Sequence, residues 1–336
     1  MESAGSKNII VTIVMPVRNE GRFIGGVLSD LRAQKFPFEQ VEVLIVDGAS
    51  TDNTVAEATK FKDQFPNFQI IENPGRLASR ARNLGAKAAN GKYIAFIDGH
   101  CHLPSTTLIA DIVELFERSG ADALCRPQPL TLKPQTLFQR AVSLARASDL
   151  GHALDSTIYT QKERFVKAAS SGAIYRREVF KKIGFFDESF DACEDVEFNT
   201  RLDKSGMKAF ISPRLTVEYA ARKNLSSLFV QLYRYGVGRW KLFRKHPSTL
   251  GSGTLITTAF TGFAVIYPLL WLWSSKIAIG ATIIAGIYLL AVLLTSLSIV
   301  RKPAHRILVI YLPIIFFTIH FALGYGFLIG IIRHRS

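Results

Sequence analysis

Five short polar runs in this 336-residue chain carry side chains able to handle a charged ligand. Pro16-Val17-Arg18-Asn19-Glu20 follows an apolar run. A loop that opens a helix at that point presents backbone N–H groups and side chains to an anion, although capping explains Asn19 and Glu20 equally well. In Val46-Asp47-Gly48-Ala49-Ser50-Thr51-Asp52, the Asp47 carboxylate can accept from the imide N–H of a uracil-type base or from a ribose hydroxyl. Asp52 reads as a helix cap. Arg80 and Arg82 suit a diphosphate or, as the plainer alternative, a solvated helix face. Asp98-Gly99-His100 sets a carboxylate and an imidazole two residues apart, close enough to converge on one divalent cation. Oxygen ligation suits Mg²⁺ or Mn²⁺, and the imidazole favours Mn²⁺. Glu194 and Asp195 are consecutive carboxylates at a helix start. They are either caps favoured by the helix dipole or the source of one general base.

The elements that must hold these runs alternate. Strand-like stretches at Ile9–Met15, Val41–Val46, Phe68–Ile71 and Tyr93–Ile97 are separated by helical patterns at Arg22–Ala33, Thr54–Lys62 and Leu77–Ala89. Apolar strands of this length between helices imply an α/β fold with a largely parallel sheet covered on both faces. Such sheets bind ligands at the carboxyl ends of their strands, where Pro16, Asp47 and Asp98 fall. Further on, Pro104–Ser119 and Val196–Ser205 read as helices and Pro127–Pro134 as turns.

Charge divides the chain. Its net charge is +14, yet Glu218 is the last acidic residue, and 13 Lys or Arg follow it. The first 218 residues carry 28 basic against 27 acidic side chains. In the C-terminal third the basic residues are interleaved with long apolar runs, which points to a membrane and away from nucleic acid. Leu225–Phe243 mixes apolar residues at helical spacing with Arg234, Arg239, Lys241 and Arg244, as an interfacial helix or an ordinary packing helix does. Leu255–Trp273, Ile277–Val300 and Ile307–Ile332 each reach the length of a span and contain no Asp, Glu, Lys or Arg. With the Arg301–Arg306 loop in the cytoplasm, three spans would leave Arg333-His334-Arg335 on the far side, against the usual charge bias, unless the third stretch is re-entrant. His320 falls within the third stretch and reads as a packing histidine before a functional one. Cys101, Cys125 and Cys193 form no CxxC pattern and fit a reducing compartment. The polar lead Met1–Asn8 has no signal-peptide pattern, so the N-terminal part is expected to stay cytoplasmic.

Taken in order, Pro16–Glu20, Asp47–Asp52, Arg80–Gly85, Asp98–His100 and Glu194-Asp195 resemble the motifs of the family 2 glycosyltransferases of the GT-A fold, over about 200 residues. Asp-Gly-His in place of Asp-x-Asp, together with the apolar C-terminal stretches, is most similar to the succinoglycan-type exopolysaccharide branch. The resemblance implies a donor-binding set of Pro16, Arg18, Asn19, Glu20, Asp47, Arg80 and Asp98, with Asp47 on the base of a UDP-sugar. It implies Asp98 and His100 at a divalent cation, Mn²⁺ or Mg²⁺, and at the diphosphate. It implies Asp195 as the base that deprotonates the acceptor and Glu194 as its support. The Ser171-Gly172 turn before Tyr175-Arg176-Arg177 is similar to the segment lining the sugar and acceptor cleft. Gly48 stands where the family commonly has a second Asp, and His100 where it has the second metal carboxylate.

The expected organisation is therefore a GT-A domain over 1–222, an amphipathic interfacial linker over 223–250 and a membrane anchor over 251–336. The expected activity is inverting transfer from a nucleotide sugar to a polyprenyl-diphosphate-linked saccharide at a bacterial-type inner membrane. Processive members of the family carry Gln-x-x-Arg-Trp; Arg239-Trp240 here follows Val237-Gly238, with Gln231 too far upstream, so the resemblance implies single-sugar transfer rather than a processive synthase. Transfer to plain polyprenyl phosphate and a membrane-tethered nucleotide-sugar sensor are the remaining alternatives; retention of both Asp98 and Asp195 speaks against the sensor.

Overall fold

The computed structural model describes residues 8–152, 158–301 and 303–333. Met1–Lys7, Lys302, His334 and Arg335, which entered the leader and charge arguments, lie outside the described residues, as do the side chains at 303–305. Two compact units emerge, one from residues 8–132 and 158–219, the other from 133–152 and 220–333. The second unit thus takes in residues 133–152, a stretch that the sequence reading counted within 1–222.

In the first unit, β1 (Val11–Val17) and β2 (Val41–Asp47) are almost wholly buried, as their continuous apolar runs require. With β3 (Phe68–Glu72) and β4 (Tyr93–Phe96) they form four parallel strands in the order β3-β2-β1-β4. Helices α1 (Ile24–Arg32), α2 (Thr54–Thr59) and α3 (Ala78–Ala88) make the crossovers. Alternate β1 residues serve opposite faces: Ile13 and Met15 join Leu28 of α1 and Phe116 in one core, while Val14 joins Ala81 of α3 in the other. A Cβ on Gly85 would come within 2.2 Å of a Val14 methyl, so the glycine lets α3 lie directly on β1.

The rest of the sheet is mixed. After β5 (Cys101–His102), α4 (Leu108–Ser119), β6 (Ala123–Cys125) and α5 (Leu137–Arg146, in the second unit) come β7 (Arg164–Val166) and β8 (Gly172–Arg176). Then follow α6 (Arg177–Ile183), α7 (Glu194–Lys204), β9 (Ala209–Ile211) and β10 (Glu218–Tyr219). Strand β8 runs antiparallel between β4 and β6, β9 is parallel to β6, and β7 closes the edge. A separate two-strand ladder pairs Tyr219 of β10 with Cys101 of β5.

The second unit is helical: α5, then α8 (Leu225–Lys245), α9 (Ser252–Trp273), α10 (Ser275–Ile299) and α11 (Leu312–Arg333). Helices α9, α10 and α11 are long and apolar enough to cross a membrane. The third apolar stretch is broken: residues Pro303–Ile310 form a 3₁₀ run, and the α-helix begins only at Leu312. One face of α8 is buried through Leu228, Leu232, Gly236 and Leu242, and α11 packs against it.

Candidate active site

The loops after β1 and β2 are zipped together. Asn19 donates its N–H to Ser50 Oγ (2.9 Å) and accepts from the Thr51 N–H (2.8 Å). The Glu20 N–H donates to Thr54 Oγ1 at 2.7 Å, and the Gly21 N–H to Asp52 Oδ2 at 3.1 Å. Asp52 also accepts from the Thr54 N–H, the first of α2, from the position before the N-cap residue Asn53. Asn19 and Ala49 hold positive φ (55° and 54°), a strained setting for a non-glycine residue that recurs at ligand sites. Asp47 is buried, and both of its oxygens accept from Ser50 (2.5 Å and 3.1 Å). A Cβ on Gly48 would stand 3.3 Å from Arg18 Cβ, so the Arg18 stem covers the place of the family's second Asp. Pro16 lies within β1, paired with Val46, and shapes the strand end.

Asp98 follows β4 and is gripped from two sides. Its Oδ2 accepts from the Tyr219 hydroxyl at 2.8 Å, and its Oδ1 lies 3.6 Å from Arg82 Nη2. Arg126 Nη2 donates to the same Tyr219 hydroxyl at 3.1 Å. The other arm of the Arg82 guanidinium is paired with the buried Glu194 carboxylate. Asp98, Arg82 and Glu194 thus form one line of charge, with Asp195 exposed at its end. Cys193 makes this possible: its left-handed φ of 64° starts α7 abruptly, so Glu194 turns inward while Asp195, one residue on, faces solvent. Asn83 fastens α3 to the segment before α7, donating to the Phe186 carbonyl (2.9 Å) and accepting from the Phe186 N–H (2.8 Å).

The electrostatics follow from this line. Burial pushes the Asp98 pKa up, but the nearby Arg82, His100 and Arg126 charges outweigh it and hold the carboxyl below the ordinary aspartate value. For Glu194 burial wins: its pKa is raised, with Arg82 opposing and Asp195 adding. Arg82 itself is held firmly charged, because Glu194, Asp98 and Asp195 overcome its burial.

His100 Nδ1 is paired with Glu20 Oε1 at 2.8 Å, and no three His, Cys, Asp or Glu side chains among the described residues cluster around one point. Arg80 is exposed against Gly75, because residues two apart on a helix point to different sides, and Arg82 alone turns inward. Tyr175 is a core residue, bonded to the Gly172 carbonyl and Asn199, while Arg176 and Arg177 hold backbone carbonyls of neighbouring elements. Tyr219 and Arg126 were missed. Arg126 carried a faint signal, a lone cation after the apolar Ala123–Cys125; Tyr219 carried none.

The model of the family described as glycosyl transferase family 2 matches residues 12–184, about half of the chain. The chain belongs to that family. Among its relatives is the dolichyl N-acetyl-α-D-glucosaminyl phosphate 3-β-D-2,3-diacetamido-2,3-dideoxy-β-D-glucuronosyltransferase of Methanococcus voltae, 25% identical over 97% of this chain and 98% of that protein. Succinoglycan biosynthesis protein ExoA of Rhizobium meliloti is 31% identical over 75% of this chain and 76% of its own length. The mannosyltransferase PcManGT of Pyrobaculum calidifontis, solved with GDP-Man and Mn²⁺, superimposes with a TM-score of 0.61 at 17% identity, over 92% of this chain and 85% of that one. The fold of this family 2 glycosyltransferase is GT-A, and its three long apolar helices mark it as a membrane protein.

Proposed function

We propose that this glycosyltransferase moves a sugar from a nucleotide-sugar donor, a UDP-sugar, to a saccharide carried on polyprenyl diphosphate, with inversion, at the cytoplasmic face of a membrane. The observation that carries the reading is the charge line Asp98–Arg82–Glu194 ending on exposed Asp195. Asp195 takes the proton of the acceptor hydroxyl. The hydroxyl oxygen forms its bond to the anomeric carbon as the bond from that carbon to the donor diphosphate breaks, and the nucleoside diphosphate leaves with the electron pair. Displacement in line inverts the anomeric centre. Glu194 and Arg82 fix the start of α7 and so the place of the base. Asp47 and the zipped loops at Asn19 and Ser50 receive the nucleoside, with Arg18 and Glu20 beside them.

The donor set around Asp98 fits a divalent cation that draws most of its ligands from diphosphate and water, as Mg²⁺ and Mn²⁺ commonly do. Asp98 would hold it, with His100 joining on release from Glu20; such an ion neutralises charge on the leaving diphosphate. The Mn²⁺ in PcManGT supports this, and the dolichyl-linked substrate in the name of the Methanococcus voltae relative supports a lipid-borne acceptor. The test is incubation of membranes containing the full chain with a panel of labelled nucleotide sugars. A lipid-linked saccharide one sugar longer, with its anomeric configuration reversed from the donor, is expected. Label appearing only on plain polyprenyl phosphate, or in a long polymer, would overturn the reading.

A further inference from the structure

Helices α9 and α10 form an antiparallel hairpin. Phe260 meets Tyr288 with ring centroids 4.6 Å apart, and the Tyr267 hydroxyl pairs with Thr282 Oγ1 at 2.9 Å, so numbers rise on one helix as they fall on the other. The start of α9 and the end of α10 therefore lie on one side, the side of α8, whose last residue Lys245 precedes α9 by only a few residues. Helix α11 can be placed against this frame. Phe317 packs on Phe260 (5.7 Å), Thr261 Oγ1 donates to the Phe321 carbonyl (3.1 Å), and Gly324 lies on the Thr257 carbonyl, which a Cβ there would approach to 2.0 Å. As α11 advances from 317 to 324, its partners on α9 retreat from 260 and 261 to 257. Helix α11 thus runs antiparallel to α9 and in the same direction as α10, and its C-terminal end heads back toward α8. There Gly326 sits on the Tyr233 carbonyl and Gly330 against Trp240.

We infer that α11 does not cross the membrane: it is a re-entrant helix, and the anchor is the two-span hairpin of α9 and α10. The 3₁₀ run Pro303–Ile310, at about 2 Å per residue, carries the chain inward after α10 so that α11 can return. Burial agrees. The most apolar window of α11 is 56% buried within the protein, against 11% and 17% for α9 and α10, whose outer side chains such as Leu272 and Ile287 face lipid. The middle of α11 also meets a polar segment. His320 Nε2 donates to the Leu150 carbonyl at 2.8 Å, next to the exposed Asp149, and in the neutral ring Nδ1 accepts from the Tyr288 hydroxyl at 3.0 Å. The return removes the charge conflict as well. Among the described residues after Glu218, nine Lys or Arg, seven from Arg222 to Lys245 with Arg301 and Arg333, then fall on the α8 side, Arg306 lies within the 3₁₀ run, and Lys276, in the α9–α10 turn, falls on the other side. That bias places the α8 side in the cytoplasm.

Single cysteines test the arrangement in the full chain. The native thiols give little background: Cys101, Cys125 and Cys193 are buried, and burial pushes Cys101 and Cys125 up to about 12. Ser274→Cys, in the α9–α10 turn, and Ser336→Cys, beyond α11, are treated with a membrane-impermeant maleimide in sealed right-side-out vesicles and again after the vesicles are opened. Ser274→Cys should label from outside, and Ser336→Cys less than a tenth as much until opening. Equal labelling of the two from outside, or protection of both until opening, puts turn and tail on one side and overturns the re-entrant assignment. The reverse pattern keeps the return of α11 and overturns the cytoplasmic placement of α8.

Discussion

Arg82 is the one guanidinium shared by Asp98 and Glu194, two carboxylates 96 positions apart in the chain. It joins the residue expected at the donor diphosphate to the residue beside the expected base. In the proposed mechanism, Arg82 of α3 thus ties the donor end of the site to the base end.

Removing that side chain should be costly in two ways. Breaking a buried pair while one charge remains costs about 3–5 kcal/mol, and Arg82 and Glu194 side chains are only 14% and 10% exposed. Arg82→Ala should lower the unfolding free energy by about that much in denaturant titrations of the detergent-solubilised chain. Arg82→Ala with Glu194→Gln should recover part of the stability and none of the transfer. Equal stability of the single and double variants would refute the coupling.

Asp195→Asn should slow transfer by roughly 10²–10⁴-fold, the usual range for a lost general base. Stability should change by no more than about 1 kcal/mol, since the side chain is exposed and contributes only a first-turn charge behind the N-cap residue Cys193. Donor binding, followed by calorimetry, should also hold. Near-normal transfer would remove Asp195 from the mechanism and shift attention to Glu194.

Chelation should abolish transfer and Mn²⁺ should restore it, with Asp98→Ala inactive at any metal concentration. His100→Ala should cost less, because the ring is engaged by Glu20 in the resting site. Direct titration of Mn²⁺ in the presence of nucleoside diphosphate separates lost binding from lost chemistry. Full turnover in excess chelator would contradict the cation's role.

Tyr219→Phe deletes the hydroxyl between Arg126 and Asp98 without changing the packing of the ring. Donor KM should rise severalfold with little change in thermal midpoint. A lower midpoint with unaltered KM would make Tyr219 purely structural.

Acid should act through Asp98. Its folded-state pKa is depressed, so its contribution to stability is present above the unfolded value, about 3.9, and is lost as pH falls through the folded value. In Asp98→Asn the denaturation midpoint measured from pH 6 down to pH 2 should lose this part of its decline. A decline identical to that of the unsubstituted chain would show that Asp98 is not held ionised by its neighbours.

The frame of this protein is legible in its residues alone. Buried strands announce themselves by continuous apolar runs such as Val41–Asp47, and the ends of those strands located Asp47 and Asp98 because a parallel sheet exposes loops there. The contrast between an almost neutral first part and an acid-free, apolar last third likewise needs no coordinates. Which distant side chains meet is settled by the fold. Helix phase turned Arg82 inward and Arg80 outward; the short β5–β10 ladder brought Tyr219 to Asp98; Glu20 took His100; and a broken apolar stretch turned α11 back on α9. Those pairings include contacts between residues as far as 121 positions apart, and no local periodicity records them.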